Sequence, residues 1–328
     1  MEKNQIFSEI REKKSNKYII SSEGFCESDK ILIPRLKDAL KFFAIDFETK
    51  IIVYLRPQVS WFESSYQQIV KDQNVRTIKS FNEYIKLGYI YDYCDYYSHL
   101  NLWAKYFKKE NIIVIPYDPM QHKAKLYTDF LTAINISNNL ELKKPPPQKT
   151  NIGLSESTIE FLRWLNILKI DTHLFQEILA IFENNQNEQF NIYNFIDQEK
   201  SDEIAQFFEE SNRLVALDFL KRDNGILFPE YILNKRSPSP IFIQDDIFIP
   251  ENFIQHIEFI KSKNKKVLQN LYSQIYVLDS DAKKTKQQFL SLLDSILEKK
   301  KTNELLKRNS KFNKLLLILN RYRKSCQI

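Results

Sequence analysis

Residues 50–71 read KIIVYLRPQVSWFESSYQQIVK, and this stretch decides the fold. Ile51, Ile52, Val53, Tyr54 and Leu55 form a short apolar run rich in β-branched and aromatic residues. Such a run reads as a strand covered on both faces of a parallel sheet. Arg56-Pro57 ends it, because proline has no N–H for a ladder and pushes the preceding residue out of the helical region. Ser60, with Glu63 three residues later, predicts a capping box that opens a helix. Arg56 then falls at the carboxyl end of a strand, and Ser64 in the first turns of the next helix.

That turn suits a phosphate. A helix start presents unpaired N–H groups and the positive end of the helix dipole. An arginine at the strand end can add a charge-assisted, bidentate grip, and a serine hydroxyl another donor. In open α/β sheets, ligands bind in the crevice at the carboxyl ends of strands. Spacing alone leaves open that Arg56 is a solvated loop arginine and Ser64 an ordinary helix serine.

The residues resemble something more specific. Arg56, seven intervening residues, Ser64, one residue and then Tyr66 is similar to the 3'-phosphate-binding segment of the sulfotransferase superfamily. The fuller string VYLRPQ…W…SSYQQ…K resembles a bacterial branch that modifies glycans, and the likeness runs from about residue 17 to about residue 229. The resemblance implies a parallel-sheet α/β fold of the P-loop NTPase-like type. It also implies a co-substrate, 3'-phosphoadenosine 5'-phosphosulfate (PAPS), and transfer of its sulfuryl group to a hydroxyl of a saccharide or glycan acceptor. Arg56 and Ser64 would hold the 3'-phosphate, with Tyr66 in the same cofactor segment. A loop at Lys149 and Asn151 resembles the region that closes over the nucleotide. No metal and no nucleic acid are implied.

On the amino-terminal side, residues 17–21, KYIIS, read as another buried strand. Glu23 follows it, where the family often places a general base; by resemblance Glu23 would take the acceptor proton. Residue-level readings of Glu23 as a turn cap or a lysine partner stay open. Pro34 sits near the start of a helix to about residue 43. Strand, crossover helix and strand build a parallel sheet. The family's preceding element, a strand and loop for the 5'-phosphosulfate, has no counterpart in residues 1–16, and no G-x-x-x-x-G-K-[ST] pattern occurs. The sequence therefore reads as an amino-terminally truncated member of the fold. Its competing reading is an inactive homologue that binds a glycan or a partner.

On the carboxyl side, residues 81–97 are helical but broken and carry tyrosines at 84, 89, 91, 93, 96 and 97. Such rings can stack on an adenine or a sugar, or pack with wet hydroxyls. Residues 99–107 read as a helix, 111–117 (NIIVIPY) as the next strand and 126–134 as a helix. Residues 143–148 are a proline-rich linker. Ser155 caps a helix, and further helices span 171–182 and 201–220. SNR at 211–213 opens another segment similar to the bacterial branch. KRSPSP at 235–240 divides a sulfotransferase-like α/β domain, 1–236, from a helical extension, 237–328. In the extension 241–249 reads as extended and 253–319 as amphipathic helices. Asp279-Ser280-Asp281 matches a D-x-D pair only in a late, helical position, which argues against a metal-dependent glycosyltransferase.

Composition bounds the rest. Hydrophobic residues are 43% of 328, which excludes wholesale disorder. Three scattered cysteines give no disulfide framework, which fits a reducing cytosol, and four dispersed histidines give no metal motif. No apolar run approaches a membrane span, and no signal peptide opens the chain. Residues 299–324 hold ten Lys or Arg and one acidic residue, Glu304, while the other 302 residues hold 38 basic and 41 acidic. The body thus lacks a nucleic-acid footprint, and the basic tail could touch an anionic inner-membrane face or simply be a solvated helix face.

Overall fold

The computed structural model describes residues 17–25, 31–43, 48–117, 123–136, 153–185, 195–229, 253–277 and 283–296. The expectations for 143–148, Lys149, Asn151, 241–249, Asp279, Asp281 and the basic stretch 299–324 lie outside these residues. Within them the chain is mixed α/β and mostly helical. A 3₁₀ turn, Glu23–Phe25, precedes α1 (Leu32–Phe43), β1 (Ile51–Leu55) and α2 (Gln58–Lys71). Then come α3 (Phe81–Ile85), α4 (Gly88–Cys94), α5 (Tyr96–Phe107), β2 (Ile112–Pro116) and α6 (Lys123–Ala133). After them follow α7 (Glu156–Ile167), α8 (Thr172–Asn184), α9 (Gln198–Phe207) and α10 (Glu209–Asp218). The last described helices are α11 (Ile254–Lys263), α12 (Lys265–Val277) and α13 (Lys283–Ile296).

The two apolar runs do become strands and pair in parallel, from Ile51 opposite Ile112 to Leu55 opposite Pro116. Tyr117 N extends the ladder to the Leu55 carbonyl at 2.6 Å. Residues 17–21 are not a strand. A strand needs a ladder partner, and here the Lys17 ammonium instead donates to the Ile134 and Asn135 carbonyls at 2.8 and 3.3 Å. Ile19 is 61% exposed, unlike a residue buried in a parallel sheet.

The chain forms two compact units, one of Met1–Phe62, Leu87–Pro146 and Gln198–Arg236, the other of Glu63–Lys86, Pro147–Asp197 and Ser237–Ile328. Residues 63–86 and 147–197 group with the carboxyl-terminal segment. In the first unit, Ile33, Leu55, Leu100, Trp103, Phe107, Ile112, Val114 and Val215 form one core that fixes α1, α5 and α10 around the strand pair. In the second, Phe161 of α7 stacks on His256 of α11 at 5.3 Å, and Phe253 stacks on Phe289 of α13 at 6.3 Å. The His256 Nε2 lies 3.3 Å from the Thr158 hydroxyl, so this buried imidazole has a polar partner inside an aromatic cage.

Helix starts follow their side chains. Ser155 caps α7 and Asp171 caps α8, each accepting from first-turn N–H groups. The capping box belongs to Ser80 and Glu83 at α3, not to Ser60 and Glu63. Among the described residues no helix is long and apolar enough to cross a membrane. Among them, too, no group of three His, Cys, Asp or Glu is placed to hold a metal.

Candidate functional site

Arg56 follows β1 directly and Gln58 is the first residue of α2, so strand end and helix start are separated by one proline. The Pro57 carbonyl accepts the helix bond from Trp61 N at 2.9 Å. Pro57, Gln58, Val59 and Ser60 are all buried. The first-turn amides, which no helix satisfies internally, thus lie where the dipole's positive end is least screened.

Hydrogen bonds to Ser60 and from Tyr96 help to fix Arg56. Its Nε donates to the Ser60 hydroxyl at 2.7 Å, and its carbonyl accepts the Tyr96 hydroxyl at 2.6 Å. Ser60 therefore lies inside α2 as the partner of Arg56, four residues on, rather than as the residue that opens the helix. The Nε bond sets the plane of the guanidinium, whose Nη pair forms the fork that matches a phosphate. Burial pushes the Tyr96 hydroxyl well above its ordinary pKa, helped by Cys94 and opposed by the charge of Arg56. Tyr96 remains a donor. Burial also raises the Cys94 thiol, which leaves it inert.

Ser64 lies one turn past Ser60 on α2 and is half-buried. Tyr66, two residues further on, is buried. Its ring is fully buried against Phe81 and Phe195, with centroids at 5.2 and 5.1 Å, and its hydroxyl donates to the Lys79 carbonyl at 3.0 Å. Ring and hydroxyl are both occupied, which makes Tyr66 a packing support for α2.

Glu23 opens the 3₁₀ turn, and its side chain lies outside the described residues. Gly24 N and Phe25 N donate to the Ser22 hydroxyl and carbonyl, both at 3.2 Å. The Phe25 ring meets Trp103 edge-on at 6.4 Å. The turn is thereby anchored to α5, the helix whose Tyr96 holds Arg56. Lys149 and Asn151 precede Gly153, the first described residue beyond them. A Cβ on Gly153 would lie 3.2 Å from the side-chain Oε1 of Gln67 on α2, so Gly153 sits against that amide. Gln67 is three residues past Ser64 on α2.

The residues that hold the turn were not evident in sequence. Ser60 sits at the helical i+4 spacing from Arg56, a signal hidden by its equally good fit to a capping box. Asp95 caps α5 by accepting from Ser98 N, and Ser211 of α10 donates to it at 2.7 Å. Burial raises the Asp95 carboxyl, but the hydrogen bonds of Ser98 and Ser211 outweigh this and hold it below its ordinary value of 3.8. A depressed folded pKa contributes stability present above the unfolded value and lost as pH falls through the folded one. In denaturant titrations, Asp95→Asn is expected to flatten the loss of stability below about pH 4. An unchanged acid slope would mean that these bonds do not favour the ionised carboxylate.

The fold and this turn define a mostly helical α/β protein with an arginine and a helix start at the end of a parallel strand. No protein-family model matches the chain, and no solved structure matches it. It is similar to an uncharacterized protein of Archaeoglobus fulgidus, 28% identical over 259 residues, which cover 76% of this chain and 64% of that protein. The chain thus spans less than two thirds of that relative's length.

Proposed function

We propose that the chain is a sulfotransferase-like protein that binds PAPS at the β1–α2 turn and delivers its sulfuryl group to a saccharide hydroxyl. The observation that carries this is Arg56, placed at the end of a parallel strand, with its guanidinium set by Ser60 beside the start of α2. The arrangement offers a 3'-phosphate a cationic fork and the positive end of a helix dipole. Arg56 and Ser64 bind that phosphate, and Lys149 and Asn151 close on the nucleotide. PAPS, when bound, supplies the activated sulfuryl group. Glu23 accepts the acceptor's hydroxyl proton as that oxygen becomes nucleophilic. The finer fold assignment, the P-loop-like sulfotransferase type, belongs to the same reading.

The first test is mass action. A ligand that binds only the folded state stabilises it by about 2.7 kcal/mol at a hundredfold excess over Kd. 3'-Phosphoadenosine 5'-phosphate is expected to raise the melting temperature, and no shift at any concentration would count against the site. Radiolabelled PAPS with saccharide acceptors then separates enzyme from binder. Label transfer that Glu23→Gln abolishes supports catalysis; binding without transfer supports a non-catalytic glycan- or partner-binding protein.

A further inference from the structure

Two amides separated by 154 residues face each other beside the Arg56 turn. Gln58 Nε2 donates to Asn212 Oδ1 at 2.7 Å, and Asn212 Nδ2 donates back to Gln58 Oε1 at 3.1 Å. Gln58 Nε2 also reaches the Cys94 carbonyl at 3.4 Å. Gln58 is only 4% exposed, so its amide is occupied on both ends inside the protein. Next to it, Ser211 donates to Asp95 and accepts from Tyr97 N at 3.1 Å. Consecutive residues of α10 are thereby keyed to the starts of α2 and α5, the two elements that hold Arg56.

We infer that Asn212 is a positioning residue for the Arg56 anion site, acting through its reciprocal amide pair with Gln58. A reciprocal pair has one favourable geometry, whereas apolar contact tolerates sliding and rotation. It therefore fixes how α2 is turned about its own axis at its first residue. That rotation sets where the first-turn amides point and where Ser60 holds the Arg56 Nε. Misplacing a binding group by about 1 Å can cost on the order of a hundredfold. The pair is a poor source of stability by comparison, since apolar replacement of both hydrogen-bonding partners is often near neutral. The inference rests on the nucleotide reading above.

The test uses the full chain as wild type, Arg56→Ala, Asn212→Ala and Gln58→Met. Each is titrated with 3'-phosphoadenosine 5'-phosphate and with adenosine 5'-phosphate, and the ratio of the two Kd values is read. Wild type is expected to favour the 3'-phosphate by about tenfold or more, and Arg56→Ala to bring the ratio near one. Asn212→Ala and Gln58→Met are expected to lower the ratio at least about threefold while adenosine 5'-phosphate binds as before. A role confined to folding would weaken both nucleotides alike, and that result overturns the inference. So does a wild-type ratio in Asn212→Ala and Gln58→Met alongside a collapsed ratio in Arg56→Ala, which leaves the nucleotide reading standing. A wild-type ratio of one overturns the reading and the inference together. If Asn212→Ala fails to fold, Gln58→Met, which keeps the side-chain volume, decides by the same ratio.

Discussion

Replacing Tyr66 by alanine is expected to destabilise the second unit by about 3–5 kcal/mol, the cost of deleting a buried aromatic side chain and leaving its cavity. The ring is fully buried, with Phe81, Tyr84 and Phe195 around it. Domains are marginally stable, typically by about 5–15 kcal/mol, so one such change removes a large share of the margin. Tyr66→Phe separates packing from chemistry. It keeps the ring, removes the hydroxyl and leaves the Lys79 carbonyl without this donor, for an expected loss of about 1 kcal/mol. Burial already holds the hydroxyl well above its ordinary pKa, so no ionisation complicates the comparison at neutral pH. Urea denaturation reads both variants. Tyr66→Phe with undiminished stability but weakened nucleotide binding would place Tyr66 in the cofactor site.

Arg56→Ala is expected to weaken 3'-phosphoadenosine 5'-phosphate by about ten- to a hundred-fold, because a charge-assisted hydrogen bond contributes roughly 1.5–3 kcal/mol. The effect on folding should be small by comparison, since Arg56 is only half-buried and its carbonyl bond to Tyr96 survives the substitution. Arg56→Lys should recover part of the affinity and not all of it. Lysine keeps the charge but loses the bidentate fork and the planar group that Ser60 orients. Ser64→Ala removes one neutral donor, worth about 1 kcal/mol, and should have a smaller effect than Arg56→Ala. An Arg56→Ala protein that binds the nucleotide as wild type does would remove Arg56 from the site.

The strand pair was legible because its signal is local. IIVYL and IIVIP are short β-branched runs, and each is ended by a proline or its neighbour. The cap at Ser155 was legible for the same reason. Residues 17–21 have a similar run, KYIIS, but pairing decides a strand, and pairing is not encoded in five residues. At Tyr66 one motif position serves two patterns. It completes R-x7-S-x-Y, yet Phe62, Tyr66 and Val70 also form a helical stripe with i+4 spacing, and all three are buried. Ser60 posed the same ambiguity between a cap and an i+4 partner. Asn212 was beyond reach of spacing arguments, since its partner lies in a different part of the chain. The one sequence hint was that SNR at 211–213 resembled the same branch as the Arg56 segment.

The most direct measurement is a calorimetric titration of the wild-type chain with 3'-phosphoadenosine 5'-phosphate, set against adenosine 5'-phosphate under the same salt. The two ligands differ only in the group that Arg56, Ser64 and the start of α2 are proposed to hold. The expected result is saturable binding at one site, tighter by about tenfold or more when the 3'-phosphate is present. Equal affinity for the two nucleotides, or no binding of either, would contradict a 3'-phosphate site at the β1–α2 turn.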